Sequence, residues 1–374
     1  MNTESNSTVR ARDLGISLEG TPGAANAITD VPGVEVGYAT LRPADRSACT
    51  GVTAILPRGR RGVGDPCAAG TFSLNGNGEM TGRAWIEESG QFATPILLTN
   101  SHAVGAAHAG VDAWMADVAP DVARRWLLPV VAETWDGYLN NINQPHVTPE
   151  TARRALDAAA GGLLAEGSVG GGTGMNCYGF KGGTGTASRR VPFGADEYTV
   201  GVLTQANFGS RRELRIDGRP VGRASAVPCP IEETNWLQEE VDAARVPGGA
   251  GSVIVIVATD APLLPGQLKA LARRVPLGLA RTGTTGGHFS GDIFLAFSTG
   301  NDGGLRSDFP FPGRQQELES IEHVPWGGID PFFEATVQAV EESVLNALVN
   351  NEDVEGRDGH VSPALPHHEV LGAA

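Results

Sequence analysis

Ser252 is the residue whose setting most clearly suggests chemistry. It stands between the glycine-rich segment 247–251 and the uninterrupted apolar run 253–258. Such β-branched runs are typical of a central strand covered on both faces, and glycines before it can adopt backbone angles closed to other residues. A hydroxyl held there could attack the Gly251 carbonyl, convert the peptide into an ester and, after hydrolysis, release a chain that begins with serine. The same residues also fit a plain strand entered from a loose connection.

Other catalytic arrangements find less support in the sequence. The four cysteines form neither a C-x-x-C pair nor a zinc-binding spacing, so we expect buried thiols. Cys177 stays open as a second nucleophile candidate if a histidine such as His146 lies near it in space. The glycine-rich segment 168–174 lacks the lysine of a phosphate-binding loop. The sequence therefore predicts neither a metal site nor a cofactor.

Composition and charge exclude several classes of partner. The net charge of −15 over 374 residues argues against binding to nucleic acid or to an anionic membrane. No apolar run approaches the ~20 residues that span a bilayer. Segment 1–12 lacks the apolar core of a signal peptide, which predicts a cytoplasmic protein, or a periplasmic one if a leader has been removed. The 51 glycines are about twice the usual share of ~7% and indicate a layered α/β enzyme with a loop-built site.

Strand and helix patterns alternate without an internal repeat, which favours one layered α/β domain. Segment 1–15 reads as a flexible arm, 210–247 as an exposed linker, and the tail from 351 as a polar segment that is mobile or makes subunit contacts. Strands are predicted at 52–56, 95–100, 127–133, 198–205, directly after 252, and at 292–298. Helices are predicted at 103–118, 149–160, 264–274 and 330–350.

Several ordered blocks of the chain resemble the DmpA/BapA family, which comprises L-aminopeptidase/D-esterases and β-aminopeptidases. They include Ser-Val-Ile-Val-Ile-Val-Ala-Thr-Asp-Ala-Pro-Leu-Leu-Pro from Ser252 and Ser-Gly-Asp from Ser290. Together they extend over nearly the whole chain and are far more specific than any single motif. The other blocks are 12–15, 26–37, 75–82, 179–183 and 205–209.

The resemblance implies a four-layer α/β/β/α sandwich of the N-terminal nucleophile hydrolase type. It also implies a single catalytic domain, 1–374, that cuts itself into chains 1–251 and 252–374. The new α-amine of Ser252 would then serve as general base for its own hydroxyl, because an α-amine titrates near ~7.7–8.0 and is partly neutral at working pH. The expected assembly is a homo-oligomer of such processed heterodimers.

The resemblance further assigns Ser290 and Asp292 to the orientation of the nucleophile. Residues at i and i+2 of a strand share one face, and we expect that face to carry the nucleophile as well. Asp292 is one methylene shorter than the glutamate of some family members, which leaves its reach open.

Hydrolysis of an amide or ester builds negative charge on the carbonyl oxygen, which needs preorganised donors. Asn207, expected at a strand end, and the backbone N–H of Gly291 are the candidates, although Asn207 could also cap a turn. An aminopeptidase must also bind a free ammonium group. Glu133 matches the family position for that role, although it could also be a solvated acid at a loop edge. Trp135 and Tyr138 could be walls of the substrate pocket or could serve packing alone. Three polar residues of a glycine-rich turn could line the site or merely form the turn: Asn75, Asn77 and Glu79.

The sequence thus predicts a serine aminopeptidase that removes N-terminal residues from small peptides, amides or esters bearing a free amino group. β-Peptides and D-amino acid derivatives are among the possible substrates. An acyltransferase resembling ornithine acetyltransferase is the alternative with the same fold. A non-catalytic small-molecule-binding protein, in which 251–252 is only a loop, is the alternative from another class.

Overall fold

The computed structural model describes residues 9–237, 248–307, 309 and 317–371. Its strands are β1 Glu35–Leu41, β2 Thr50–Leu56, β3 Cys67–Gly76, β4 Gln91–Phe92, β5 Ile96–Asn100, β6 Val130–Thr134, β7 Asn176–Cys177, β8 Phe180–Lys181, β9 Gly183–Phe193, β10 Asp196–Gly209, β11 Gly249–Thr259, β12 Ser290–Ser298, β13 Val354–Glu355 and β14 Val361–Ser362. Its α-helices are α1 Arg83–Ser89, α2 Val104–Val118, α3 Pro120–Ala123, α4 Pro149–Asp157, α5 Val221–Ala224, α6 Pro230–Glu233, α7 Pro265–Ala272, α8 Val275–Arg281, α9 Asp330–Val349 and α10 His367–Leu371.

Two sheets form the centre of the molecule. The first has the order β1-β2-β5-β6, and the second has the order β4-β3-β12-β11-β10-β9. Most neighbours run antiparallel, but β5 and β6 are parallel, as are β11 and β12. The strand that begins near Ser252 is therefore enclosed between β10 and β12, as its apolar sequence predicts.

Three apolar cores separate the layers and give the order helix, sheet, sheet, helix. On β11, Val253, Val255 and Val257 pack toward α7, α8 and α9, whereas Ile254 and Ile256 pack between the two sheets. On the far side, helices α2 and α4 cover the first sheet, with Val111 and Trp114 among the buried side chains. The predicted α/β/β/α sandwich is confirmed.

Each predicted strand and helix has a counterpart in the structure, but three long strands were not predicted, β1, β3 and β9, and two segments predicted to lie outside the core are part of it. Segment 210–237 is not an exposed linker, because it contains α5 and α6 and buries Leu214 and Ile216 in the helix-side core; the rest of the predicted linker, 238–247, lies outside the described residues. Segment 351–371 of the predicted tail is not a mobile extension either, since Leu365 and Val370 are buried in the same core. Residues 372–374 lie outside the described part. Both segments are mainly polar and contain only a few apolar residues, so the sequence did not reveal that those residues are buried.

The N-terminal arm is also fixed to the body from residue 9 onward, contrary to the prediction. The Ala11 N–H donates to Asn346 Oδ1 at 2.9 Å, and the Arg12 guanidinium pairs with Glu342 at 2.9 Å. The Glu342 side chain is fully buried and also binds Arg189 at 2.7 Å. Helix α9 therefore anchors the beginning of the chain; residues 1–8 of the predicted arm lie outside the described part.

Candidate active site

Ser252 lies inside β11 rather than directly before the strand, because the strand begins three residues earlier, at Gly249. In the ladder it stands opposite Asn207 of β10 and Gly291 of β12. The side chain is in line with Ile254 and so faces the space between the sheets. The serine is 3% exposed and is therefore held by the strands on both sides.

The Ser252 hydroxyl points at the peptide bond that precedes it. Its Oγ donates to the Gly251 carbonyl oxygen at 2.7 Å, and the Gly291 N–H approaches Oγ at 3.4 Å. The hydroxyl thus lies beside the carbonyl that an N-to-O acyl shift would attack. No hydrogen bond joins Oγ to a histidine or carboxylate among the residues that the structure describes.

Gly251 is required by the close approach of β10 to β11. A Cβ at this position would lie 1.9 Å from the Asn207 carbonyl oxygen, far inside van der Waals contact. Two residues earlier, Gly249 has a φ of +85°, in the left-handed region that favours glycine. The glycines noted in the sequence therefore serve two purposes, a backbone turn into the strand and room beside Asn207.

A cavity of about 580 Å³ opens in front of Ser252. Five aromatic side chains contribute to its walls: Trp135, Tyr138, Phe208, Trp236 and Phe289. Three glutamates line it as well: Glu79, Glu133 and Glu232. Within the described chain no lysine, arginine or histidine lines this cavity, so it is suited to a cationic rather than an anionic ligand.

Glu133 occupies the cavity wall at the carboxyl end of β6, with 4% of its surface exposed. Its Oε1 accepts the Glu79 N–H at 2.8 Å, and its Oε2 accepts the Ser101 hydroxyl. Burial raises the pKa of this carboxyl, while the bonds from Ser101 and Glu79 oppose that rise. The charge of Glu79 adds to the rise in this pKa, and His102 lowers it. The group makes no ion pair within the described part of the chain, and the described lining of the cavity has no cationic side chain.

Trp135 and Tyr138 both line the cavity, but they differ in burial and in the contacts that hold them. Tyr138 is almost fully buried, stacks on His360 at 4.8 Å between ring centroids and donates its hydroxyl to the Val361 carbonyl at 3.2 Å. Trp135 is half-buried and contacts the Trp236 ring at 5.8 Å. The two tryptophans therefore form the more exposed part of this wall, and Tyr138 forms its buried part.

Asn207 lies within β10, which extends to Gly209, and does not cap a turn as the alternative reading had it. Its Oδ1 accepts the Asn176 N–H at 2.8 Å, and its Nδ2 donates to the Trp135 carbonyl at 2.8 Å. These two bonds fix the amide plane next to Ser252 in the ladder. The second N–H of that amide makes no hydrogen bond in the described part of the chain.

Ser290 and Asp292 do share one face of β12, where the Ser290 hydroxyl donates to the Asp292 carboxylate. The expectation that this face also carries the Ser252 side chain is wrong. Parallel pairing sets Ser290 opposite Gly251 and Asp292 opposite Val253, one position out of phase with Ser252. The pair therefore flanks the backbone of Ser252, including its nitrogen, rather than its hydroxyl.

Asp292 has a second hydrogen-bond partner, Asn75, which the sequence analysis offered as a residue that lines the site or forms the turn. Asn75 does not line the cavity; its Nδ2 donates to Asp292 Oδ2 at 2.9 Å and to the carbonyls of Gly286 and Gly287. Asn77 and Glu79 of the same turn do line the cavity. Burial raises the pKa of Asp292, and the bonds from Ser290 and Asn75 oppose the rise.

Several cavity residues were not singled out from the sequence, among them Ser101, Asn176 and Trp236. Ser101 directly follows β5, and its neighbour β6 carries Glu133 in parallel register, so pairing the carboxyl ends of these two strands would have identified it. Trp236 lies in the segment predicted to be a linker, and no sequence pattern there indicated that it would line the cavity.

The competing nucleophile is not part of this site. Cys177 is completely buried, burial raises the pKa of its thiol well above the ordinary range, and it does not line the cavity. All four cysteines are described, and each is a buried free thiol. Within the described ranges no group of three or more His, Cys, Asp or Glu side chains could hold a metal ion, and no helix is long and apolar enough to cross a membrane.

The four layers, with a serine at the start of an enclosed strand and its hydroxyl against the preceding carbonyl, define an N-terminal nucleophile hydrolase. Comparison with solved structures agrees with this class. L-aminopeptidase D-Ala-esterase/amidase from Ochrobactrum anthropi, described as a variant of that fold, superposes with a TM-score of 0.85 at 44% identity over 96% of both chains. A β-aminopeptidase from Burkholderia sp. superposes with a TM-score of 0.86 at 46% identity over 97% of both chains.

The sequence profile of Peptidase family S58 matches residues 26–362, and the chain belongs to this family. β-Peptidyl aminopeptidase BapA of Sphingosinicella microcystinivorans is 48% identical over 369 residues, which cover 96% of this chain and 90% of the relative. The BapA of Sphingosinicella xenopeptidilytica is 43% identical over the same shares. The protein is thus a self-processing serine aminopeptidase, and neither the acyltransferase nor the non-catalytic alternative is favoured.

Proposed function

We propose that this aminopeptidase cuts itself between Gly251 and Ser252 and then removes N-terminal β-amino acid residues from small peptides and amides. The observation that carries the cleavage site is the Ser252 hydroxyl 2.7 Å from the Gly251 carbonyl oxygen. The names of the two curated relatives support the β-peptide preference. Cysteine and metal chemistry are not needed for either step.

Self-cleavage begins when Ser252 Oγ attacks the Gly251 carbonyl carbon. The peptide nitrogen leaves as the α-amine of Ser252, and water hydrolyses the resulting ester, which gives chains 1–251 and 252–374. Because Gly251 has no Cβ, it can lie directly against the Asn207 carbonyl oxygen during this step.

In the processed enzyme the new α-amine takes the proton from Ser252 Oγ as the hydroxyl attacks the substrate carbonyl. Ser290 and Asp292, which flank the Ser252 backbone, hold that amine in place. The Gly291 N–H, already directed at the hydroxyl, and the free N–H of Asn207 stabilise the charge that develops on the carbonyl oxygen. Water then hydrolyses the acyl-enzyme.

The substrate ammonium binds to the Glu133 carboxylate. Glu133 is buried, lacks an ion-pair partner within the described chain and lies in a cavity whose described lining has no cationic side chain. Trp135 and Trp236 enclose the side chain of the N-terminal residue. We further propose that the processed heterodimers assemble into a homo-oligomer.

The test compares substrates with and without a free amino group. β-Homoamino-acid p-nitroanilides should be cleaved and their N-acetylated forms should not, because the acetyl group removes the positive charge that Glu133 binds. Glu133→Gln should raise KM roughly ten- to a hundredfold with little change in kcat, since a hydrogen bond to a charged group contributes ~1.5–3 kcal/mol.

Glu352→Gln, which alters an exposed carboxylate outside the cavity, is the matched control. Equal rates on free and acetylated substrates would remove Glu133 from this role. Faster cleavage of α-amino-acid p-nitroanilides than of the β-homologues would overturn the β-peptide preference while leaving the aminopeptidase activity intact.

A further inference from the structure

Ser101 contacts the Glu133 carboxylate directly and lines the same cavity. It is the first residue after β5, next to β6 in parallel register. The turn that presents it is fixed by Asn100, whose Oδ1 accepts the His102 N–H at 3.0 Å and whose Nδ2 donates to Thr50 Oγ1 at 2.8 Å. The backbone that carries Ser101 is therefore fixed on both sides, and the bond to Glu133 fixes the hydroxyl itself.

Glu133 depends on few donors for its charge. One oxygen accepts the Glu79 N–H and the other accepts the Ser101 hydroxyl, with no ion pair in the described part of the chain. A carboxylate buried to this degree is costly unless hydrogen bonds satisfy it. Ser101 supplies the only side-chain hydrogen bond to this carboxylate among the described residues, and that bond lowers the pKa that burial raises.

We propose that Ser101 is a positioning residue for the substrate-binding carboxylate: its hydroxyl fixes Glu133 Oε2 and so sets the orientation in which the carboxylate meets the substrate ammonium. This inference rests on the proposed function, in which Glu133 binds that ammonium. Ser101 itself takes no part in proton transfer or acyl transfer. Its removal should therefore weaken binding and leave the chemical step nearly intact.

The kinetic test is a double-mutant cycle on processed enzyme. Ser101→Ala should raise KM for a β-homoamino-acid p-nitroanilide about tenfold, because one hydrogen bond to a charged group is lost, and should leave kcat nearly unchanged. In the Glu133→Gln background the same substitution should have little further effect, since the charge it supports is gone. Ser89→Ala is the matched control, as Ser89 is also half-buried but donates to the Trp85 carbonyl outside the cavity.

Two variants of the same shape distinguish the contribution of the Ser101 hydroxyl from that of side-chain packing. Ser101→Thr keeps the donor, whereas Ser101→Val replaces it with a methyl group. The threonine variant should bind substrate nearly as well as the parent, and the valine variant should show the loss seen with alanine. If the alanine variant does not process, this pair still decides the question, because both members impose the same steric change.

The pH dependence of inhibitor binding gives a further test, because it would not change if Ser101 served only packing. Leucinol carries an ammonium group but no acyl group. Its Ki therefore follows the ionisation of Glu133 without requiring the acyl-transfer step. Loss of the Ser101 donor raises the pKa of Glu133, so the pH below which leucinol binding weakens should move upward, by about one unit for ~1.4 kcal/mol.

The outcomes separate the two proposals. Unchanged KM and an unchanged Ki profile in Ser101→Ala would overturn the role of Ser101 while Glu133→Gln still impairs binding. An equally large effect of Ser101→Ala in both backgrounds, or equal loss in the threonine and valine variants, would also overturn it. A Glu133→Gln enzyme that behaves like the parent would instead contradict the proposed function itself.

Discussion

At the scale of single residues, the site depends on close contacts that only particular side chains permit. The Ser252 hydroxyl donates to the Gly251 carbonyl at 2.7 Å, and Gly251 itself lies against the Asn207 carbonyl oxygen. Asn207 is fixed in turn by Asn176 and by the Trp135 carbonyl. A displacement of this strand edge would move the attacking oxygen and the carbonyl it attacks relative to each other.

Gly251→Ala should therefore impair self-cleavage. Its Cβ would lie 1.9 Å from the Asn207 carbonyl oxygen, so the strands must separate at that point. A displacement of about 1 Å can cost roughly a hundredfold in rate, which is the loss we expect for processing. A time course on denaturing gels measures it.

Gly266→Ala is the matched control, because a Cβ there meets nothing within 4 Å. Processing of Gly251→Ala at the rate of the control would show that the contact with Asn207 does not position the scissile bond.

At the scale of elements, the sequence was informative wherever a pattern of apolar residues decided the structure. Helix α2 and helix α9 were predicted within one residue at each end, and β12 was predicted with its correct end and a start two residues late. The start of β11 was predicted four residues late, because Gly249 and Gly251 have low strand propensity but are required by the turn and by Asn207.

The positions of site residues were harder to predict where they depend on which strands become neighbours. Ser290 and Asp292 were correctly paired with each other, since that follows from one strand. Their relation to Ser252 depends on parallel register with β11, and no single-strand pattern specifies a register. Ser101 was missed for the same reason, because its contact with Glu133 requires β5 to lie beside β6.

At the scale of the whole molecule, the two expected chains, 1–251 and 252–374, both contribute strands to the sheet that contains Ser252. Strand β11 lies between β10 of the large chain and β12 of the small chain, and both contribute to the inter-sheet core. A buried ion pair adds to this association, since Arg189 and Glu342 belong to different chains and are each almost fully buried. The processed enzyme should therefore stay associated without a covalent link.

Arg189→Met should destabilise the processed protein by about 3–5 kcal/mol, because it leaves the buried Glu342 charge with fewer partners. Despite its burial, Glu342 has a lowered pKa, owing to its bonds with Arg12, Arg189 and Asn26. Stability from such a group is present above its unfolded pKa and is lost as the pH falls through the folded pKa. The difference between variant and parent, measured by urea unfolding, should thus shrink at acidic pH.

Arg190→Met is the control from the adjacent position. Arg190 pairs with Glu197 on the surface, where both side chains are half exposed, so its loss should cost at most ~1 kcal/mol. Equal destabilisation by the two substitutions would contradict the role given to the buried pair.

The central claim is that Ser252 becomes an N-terminal nucleophile by cutting the chain before itself. Mass spectrometry and N-terminal sequencing of the purified protein test it most directly. The account predicts two chains of 251 and 123 residues, the smaller beginning Ser-Val-Ile-Val-Ile, and a Ser252→Ala variant that folds but remains one chain of 374 residues. A small chain that begins at any other residue, or a catalytically active protein that stays uncut, would contradict it.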